Sequence, residues 1–407
     1  MTYKEALAWL YGTQRFGIKL GLENVQRLLR ELNLPGQDQR IIHVAGTNGK
    51  GSVCAVIDSI CRAAGYRTGL FTSPHLITYR ERIRVNGEMI ALDEVARGLS
   101  LIRDLVKAWD PHPTFFEITT ALALDHFKSS KCELIVLETG LGGRLDATNA
   151  LTPIVSVITP ISYDHEKWLG DTLEAIAGEK AGIIKAKVPV VSAQQEPAAE
   201  KVIRARASEC NAPLEFAAAF YDGGPKSALA GKHQQQNAVL AIAALAAAAV
   251  AIEDEAIARG LAGVEWPARF QRWDDRTIID GAHNPAGAGI LVEAWQQHFG
   301  EQRSTIVLAV LREKDVSGIG RALAPIAARF ILPKIRAERA LPPNELASRL
   351  SSIAPTLQYS ITPTVSVALE FARAHPERIL ITGSLHFAGE ALASLNGTPE
   401  ALEDCAQ

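Results

Sequence analysis

The chain has 407 residues, 47% of them hydrophobic and 21% charged, with a formal net charge of −3. That is enough chain for two hydrophobic cores, and its small, sign-mixed charge gives no electrostatic case for nucleic acid or a membrane surface as partner. Five cysteines without metal-type spacing fit reduced thiols in a cytoplasmic protein, so small molecules are the expected partners.

The first residues, Met1-Thr2-Tyr3-Lys4-Glu5, carry no charged-then-apolar signal segment. Residues 4–33 show helical spacing of apolar positions twice, interrupted by Gly12, Gly17 and Gly21, so two short helices are expected. The loop joining them, Phe16 to Gly21, is apolar enough to touch a ligand, although packing of a helix pair explains it equally well.

Ile41-Ile42 then leads into His43-Val44-Ala45-Gly46-Thr47-Asn48-Gly49-Lys50-Gly51-Ser52, and an apolar-periodic run from Val53 to Ala64 leads out. Strand, glycine-rich loop and helix in that order make a phosphate-binding loop. The glycines admit backbone N–H groups to a polyphosphate, the helix start offers unpaired donors, and Lys50 adds a point charge. The stricter pattern would place Gly at 44 and a hydroxyl at 51, where this chain has Val44 and Gly51.

Further strands end in polar residues. Thr68 to Phe71 runs into Ser73-Pro74-His75, and Leu134-Ile135-Val136-Leu137 ends on Glu138, which suits a carboxylate beside a phosphate loop and its Mg²⁺. Between them, Tyr79 to Gly87 holds three arginines and ends in an Asn-Gly turn, fitting either a flap or a solvated hairpin. A helix is expected from Phe115 to Asp125. The glycines of Thr139-Gly140-Leu141-Gly142-Gly143 suggest close backbone approach to a ligand.

Pro153 to Thr159 is another buried strand, with Asp164-His165 just past it, and Val188 to Val191 is a shorter one. Lys180 lies among apolar and small residues, where a free ammonium is costly and a modified or paired lysine is not. Residues 189–225 offer little else. The amides of His233-Gln234-Gln235-Gln236-Asn237 fit either a purine edge or a helix cap. Ala238 to Ile252 reads as one buried helix of about 22 Å, shorter than a bilayer core.

The character changes at Trp266-Pro267-Ala268-Arg269, which sets the expected division at 1–266 and 267–407. A strand into Asp280-Gly281-Ala282-His283-Asn284-Pro285, and others at Thr305–Val310, Arg329–Leu332 and Ile379–Thr382, make the second part a smaller α/β domain.

Taken together, His43 to Ser52, Thr72-Ser73-Pro74-His75-Leu76, Glu138 to Asn149, Asp164-His165, Glu179-Lys180-Ala181-Gly182-Ile183 and Asp280 to Pro285 resemble the folylpolyglutamate synthase/dihydrofolate synthase family, within the Mur ligase superfamily. The resemblance spans nearly the whole chain, and Gly51 becomes a family feature. It implies an α/β fold with a mainly parallel, phosphate-loop-containing N-terminal domain and a Rossmann-like C-terminal one. It also implies ATP-dependent addition of L-glutamate to dihydropteroate, to folyl-(poly)glutamates, or to both; a monomer is the expected state.

By that likeness, Gly49, Lys50, Gly51 and Ser52 cradle the ATP phosphates, and Asn237, Arg269 and Asp280 contact the nucleotide. Two Mg²⁺ ions are implied, one on Ser73 and Glu138 and one on His165. Lys180 is implied to be a carbamate, and Lys50, His165 and Lys180 form the catalytic set. His283 and Ser384 fall to glutamate; Thr114, Phe115, Leu145, Asp146 and Ala147 fall to the pterin. Three positions depart from the family: Ala268 stands for glycine, Glu313 for aspartate and His386 for tyrosine. A cell-wall Mur ligase would need a further N-terminal domain that the short leader does not supply. A nucleotide-binding protein without ligase activity would leave Asp280, His283 and Ser384 unexplained.

Overall fold

The computed structural model describes residues 1–16, 21–36, 39–219 and 225–403. The apolar loop expected to touch a ligand falls largely on 17–20, outside the described residues. The two short helices that flank it form as expected, at Tyr3–Gly12 and Glu23–Glu31.

Eight strands build the first sheet: β1 (Arg40–Ala45), β2 (Thr68–Phe71), β3 (Ile83–Val85), β4 (Glu88–Met89), β5 (Leu134–Glu138), β6 (Val155–Ile158), β7 (Val190–Ser192) and β8 (Leu214–Phe216). Their order is β4-β3-β2-β5-β1-β6-β7-β8, parallel from β2 through β8, with β3 and β4 added antiparallel at one edge. β1 and β5 are continuous apolar runs because helices cover both faces of the sheet. The register that pairs Val44 with Glu138, and Phe71 with Leu137, brings the ends of β1, β5 and β2 to one rim. Ligands of open α/β sheets bind at that rim.

The second sheet comprises β9 (Gln271–Arg272), β10 (Thr277–Ile279), β11 (Ser304–Leu308), β12 (Ala327–Pro333), β13 (Gln358–Thr362) and β14 (Arg378–Thr382). Its order is β13-β12-β11-β14-β10-β9, parallel except for β9. The two sheets therefore match the expected mainly parallel N-terminal and smaller C-terminal α/β architecture. No helix among the described residues is long and apolar enough to cross a membrane.

Several local expectations change. The run Ala238–Ile252 is not one helix: a helix spans Lys232–Ala247, the chain turns at Ala249 (φ 50°), and a second helix follows at Asp254–Ala262. Alanine favours helix throughout, so composition hid the stop, which packing imposes. Tyr79–Gly87 is the edge hairpin rather than a flap, since it pairs with β2 and buries Arg82 completely. The helix Leu92–Val106 was not anticipated, and residues 189–225 hold the helix Pro197–Glu209 and β8. Strands β9 and β13 were also missed; one is two residues long and the other has mostly part-exposed positions, so neither gives a buried-strand pattern.

Candidate active site

The phosphate loop forms where the sequence places it. Thr47 and Asn48 donate their N–H groups to the Pro160 carbonyl at 3.0 and 3.3 Å, which pins the loop to the end of β6. Gly49 is the N-cap of the helix Lys50–Ala63, has φ 89° and provides no side-chain cap. The first N–H groups of that helix have no intrahelical acceptor and face outward for an anion.

Two glycines are explained by neighbours. A Cβ on Gly49 would stand 2.8 Å from Asn237 Oδ1, and one on Gly51 would stand 3.0 Å from the indole nitrogen of Trp266. The departure at Gly51 therefore answers to Trp266, a contact that motif reading missed. Asn237 reaches the loop and is held by a bond from its amide to Gln234 Oε1 (3.1 Å). The amide run does not cap its helix: Gln235 ties to Ser227 and Leu229, and Gln236 to Ala218.

Ser73 follows β2 and donates its N–H to Glu138 Oε2 at 3.0 Å. Burial pushes the Glu138 carboxyl above its usual range, opposed by Lys50, the Ser73 N–H, Arg269 and Arg82. The hydroxyls of Ser73 and Ser52 are buried without a hydrogen-bond partner. Unpaired buried hydroxyls are costly; Ser73 is bonded through its N–H to the Glu138 carboxylate, and Ser52 lies in the first turn of the phosphate-loop helix.

Lys180 ends the helix Leu173–Ala181 and is 4% exposed. Its Nζ donates to the Gly46 carbonyl at 2.8 Å, directly behind the phosphate loop. Burial, with the charge of Lys50, pulls its pKa down to about 7, so a neutral amine is accessible near neutrality.

The two domains meet at Asp164. Its Oδ1 receives Lys314 Nζ at 2.6 Å, and its Oδ2 receives the Asn284 amide at 3.2 Å and lies 3.4 Å from His283 Nε2. Although burial works the other way, His283 and Lys314 hold this carboxyl well below the usual range. Asn284 also exchanges bonds with Asn48 of the phosphate loop at 3.1 and 3.4 Å. His165 adopts a left-handed conformation (φ 54°) beside Asp164, its side chain 42% exposed. Sequence reading quoted Asp164, Asn48 and Asn284 inside motifs but gave none of them, nor Lys314, a role; their partners lie more than a hundred residues away.

From the C-terminal side, Asp280 accepts the N–H groups of Phe270 (2.7 Å) and Ala282 (2.8 Å). Arg269 bonds the Ala268 carbonyl (2.9 Å), lies over Gly281 and reaches the field of Glu138. Ala268 and Phe270 both have positive φ (56° and 47°), so the alanine at this joint occupies a conformation glycine would adopt without strain. Ser384 caps the last helix, Leu385–Leu395, beside the 281–282 turn. Glu313 pairs with Arg339 away from the site, and His386 lies in the first turn of that last helix.

The residues that the resemblance assigns to the pterin are mostly buried. Thr114 caps the helix Phe115–Ser129 through Glu117, and Phe115 stacks on Tyr11 at 5.7 Å. Phe115 and Ala147 share one apolar cluster, and Leu145 is part-exposed. Asp146 spends its carboxylate on the N–H groups of Gly140, Leu141 and Thr148. The glycines of that turn are held close to neighbouring elements. A Cβ on Gly140 would strike the Phe116 ring and one on Gly143 the carbonyls of Glu179 and Lys180, so Gly140 allows close packing against the helix Phe115–Ser129 and Gly143 against the Lys180 helix.

The profile of the Mur ligase middle domain matches residues 44–245, and that of the Mur ligase glutamate ligase domain matches 268–385. A Bacillus subtilis dihydrofolate synthase/folylpolyglutamate synthase is 37% identical over 95% of this chain and 97% of its own. The chain belongs to the folylpolyglutamate synthase/dihydrofolate synthase family. Two solved members superpose along nearly their full length. The Yersinia pestis enzyme, complexed with AMPPNP and a Mn ion, has a TM-score of 0.86 at 29% identity, covering 97% of this chain and 98% of that one. Escherichia coli FolC, in complex with DHPP and ADP, has a TM-score of 0.85 at 30% identity, covering 96% and 98%.

Proposed function

We propose that this ATP-dependent ligase of folate metabolism adds L-glutamate to dihydropteroate, to folyl-(poly)glutamates, or to both, through an acyl phosphate. The observation that carries the reading is convergence across the domain joint. Arg269 and His283 of the C-terminal part stand against Glu138 and Asp164 of the N-terminal part, so a phosphoryl donor held on one side meets an amine held on the other.

In this reading the acceptor carboxylate attacks the γ-phosphorus and the β–γ bridge breaks, leaving ADP. The glutamate nitrogen then attacks the acyl carbon, phosphate departs with the bonding electrons, and the new amide nitrogen gives up its proton. Gly49, Lys50, Gly51 and Ser52 hold the phosphates, Lys50 offsetting charge on the transferred group. Asn237, Arg269 and Asp280 hold the nucleotide, and His283 and Ser384 the incoming glutamate. Thr114, Phe115, Leu145 and Ala147 shape the pterin pocket, with Asp146 supporting it from behind.

Among the described residues no group of three His, Cys, Asp or Glu side chains is placed to hold a metal ion. The unpaired Ser73 hydroxyl beside Glu138 nevertheless suits Mg²⁺, which favours few protein oxygens and completes its shell with water and phosphate. Ser73 and Glu138 would hold one ion and His165 the second; when bound, they neutralise charge on the phosphoryl oxygens. Lys180, with its amine near neutrality, is suited to carbamate formation. We place the domain division at 1–266 and 267–407, with closure about 266–270, in a monomeric, cytoplasmic enzyme.

The test is ADP release measured with dihydropteroate and tetrahydrofolate side by side, with and without glutamate. Release that requires both an acceptor and glutamate is expected. Release with ATP alone, or indifferent to the acceptor, overturns the reading.

A further inference from the structure

Three arginines occupy the edge hairpin, and two have ordinary partners: Arg80 Nε donates to the Ile90 carbonyl and Arg84 Nε to the Glu81 carbonyl. Arg82 differs. It is 0% exposed, its Nε donates to His75 Nδ1 at 2.9 Å, and both terminal nitrogens are buried with no hydrogen-bond partner. Arg276 and Arg329 also bury an unpaired Nε, yet Arg276 bonds through Nη2 and Arg329 through both terminal nitrogens. Arg82 is thus the one arginine among the described residues with its whole terminal fork buried and unspent.

A guanidinium keeps its charge at any physiological pH, so burial cannot neutralise it, and an unpaired charge inside a fold is strongly unfavourable. Its position suggests what is missing. The guanidinium carbon lies 5.4 Å from the centre of the Phe115 ring, and its charge acts on Glu138. It therefore lies between the pterin side of the site and the carboxylate next to Ser73. Its fork matches a carboxylate edge-on, with two parallel N–H donors.

We infer that Arg82 binds the carboxylate of the acceptor, the group that becomes the acyl phosphate. This rests on the acceptor class proposed above. The guanidinium is fully buried and Phe115 covers one face of it, so an acceptor must shift that ring to reach the charge. Occupation of the pterin end would then expose the site for the acid end, which favours acceptors carrying both.

Calorimetric titration of the wild-type enzyme and of Arg82→Gln with dihydropteroate, and with its carboxamide, tests this. The wild type should bind the acid more tightly than the amide. Arg82→Gln should lose acid affinity on the order of 10²-fold while amide affinity stays within about twofold. Equal loss for both ligands makes Arg82 a packing residue or the seat of a buried water, and no loss removes it from the site; either overturns the inference. Failure of both ligands to bind the wild type overturns the acceptor class and the inference together. A crystal structure of the wild type with dihydropteroate decides the case even if the variant misfolds. Both Nη atoms should lie within hydrogen-bond reach of the carboxylate, and a carboxylate bound elsewhere refutes the assignment.

Discussion

Two turns in this molecule share one plan and use it oppositely. Each joins the end of a parallel strand, β1 or β10, to the start of a long helix. In the first, Gly49 caps the helix with no side chain, leaving its N–H donors for a ligand. In the second, Asn284 accepts the Gly287 N–H at 2.7 Å, and Asp280 takes the N–H groups of Phe270 and Ala282. That turn satisfies itself and presents side chains instead. The two touch through Asn48 and Asn284, so the anion-ready turn is braced by the self-satisfied one.

Breaking the first turn should have the largest effect. Gly49→Ala forces a Cβ into positive φ and against Asn237, and a displacement of that kind should lower kcat/KM for ATP by about 10²-fold or more. Steady-state kinetics with calorimetric ATP binding measure it; near-normal binding would mean that the loop does not cradle phosphate.

Breaking the link between the domains should cost less. Lys314→Met leaves Asp164 with a buried, under-compensated charge, about 2 kcal/mol or roughly thirtyfold in kcat/KM. Because the pair spans the joint, Asp164 can rehydrate as the domains part. Small-angle scattering should therefore show a larger radius of gyration while the melting temperature moves little, and adding Asp164→Asn should restore part of the compactness.

Removing the second turn's own cap should be mildest. Asn284→Ala should cost about 1 kcal/mol and a few degrees in Tm, with only a modest rise in KM for ATP through Asn48. A loss of ATP affinity as large as that of Gly49→Ala would erase the distinction between the turns.

The sequence by itself determined the devices that are local in the chain. The phosphate loop, the acid at the end of β5 and the buried lysine at 180 each depend on a few consecutive residues, because backbone donors, strand ends and burial leave marks on neighbouring positions. It also marked the buried strands β1, β5, β6, β10, β11, β12 and β14, since burial on two faces leaves mainly apolar runs. The stop in the alanine-rich helix, the occupant facing Gly51, the packing role of Gly140 and Gly143, and the saturation of Asp146 were decided by the tertiary structure. So was the meeting of Asp164 with Lys314, His283 and Asn284. These are contacts between residues far apart in the chain, and a side chain's chemistry gives no sign of which distant group will share its buried space.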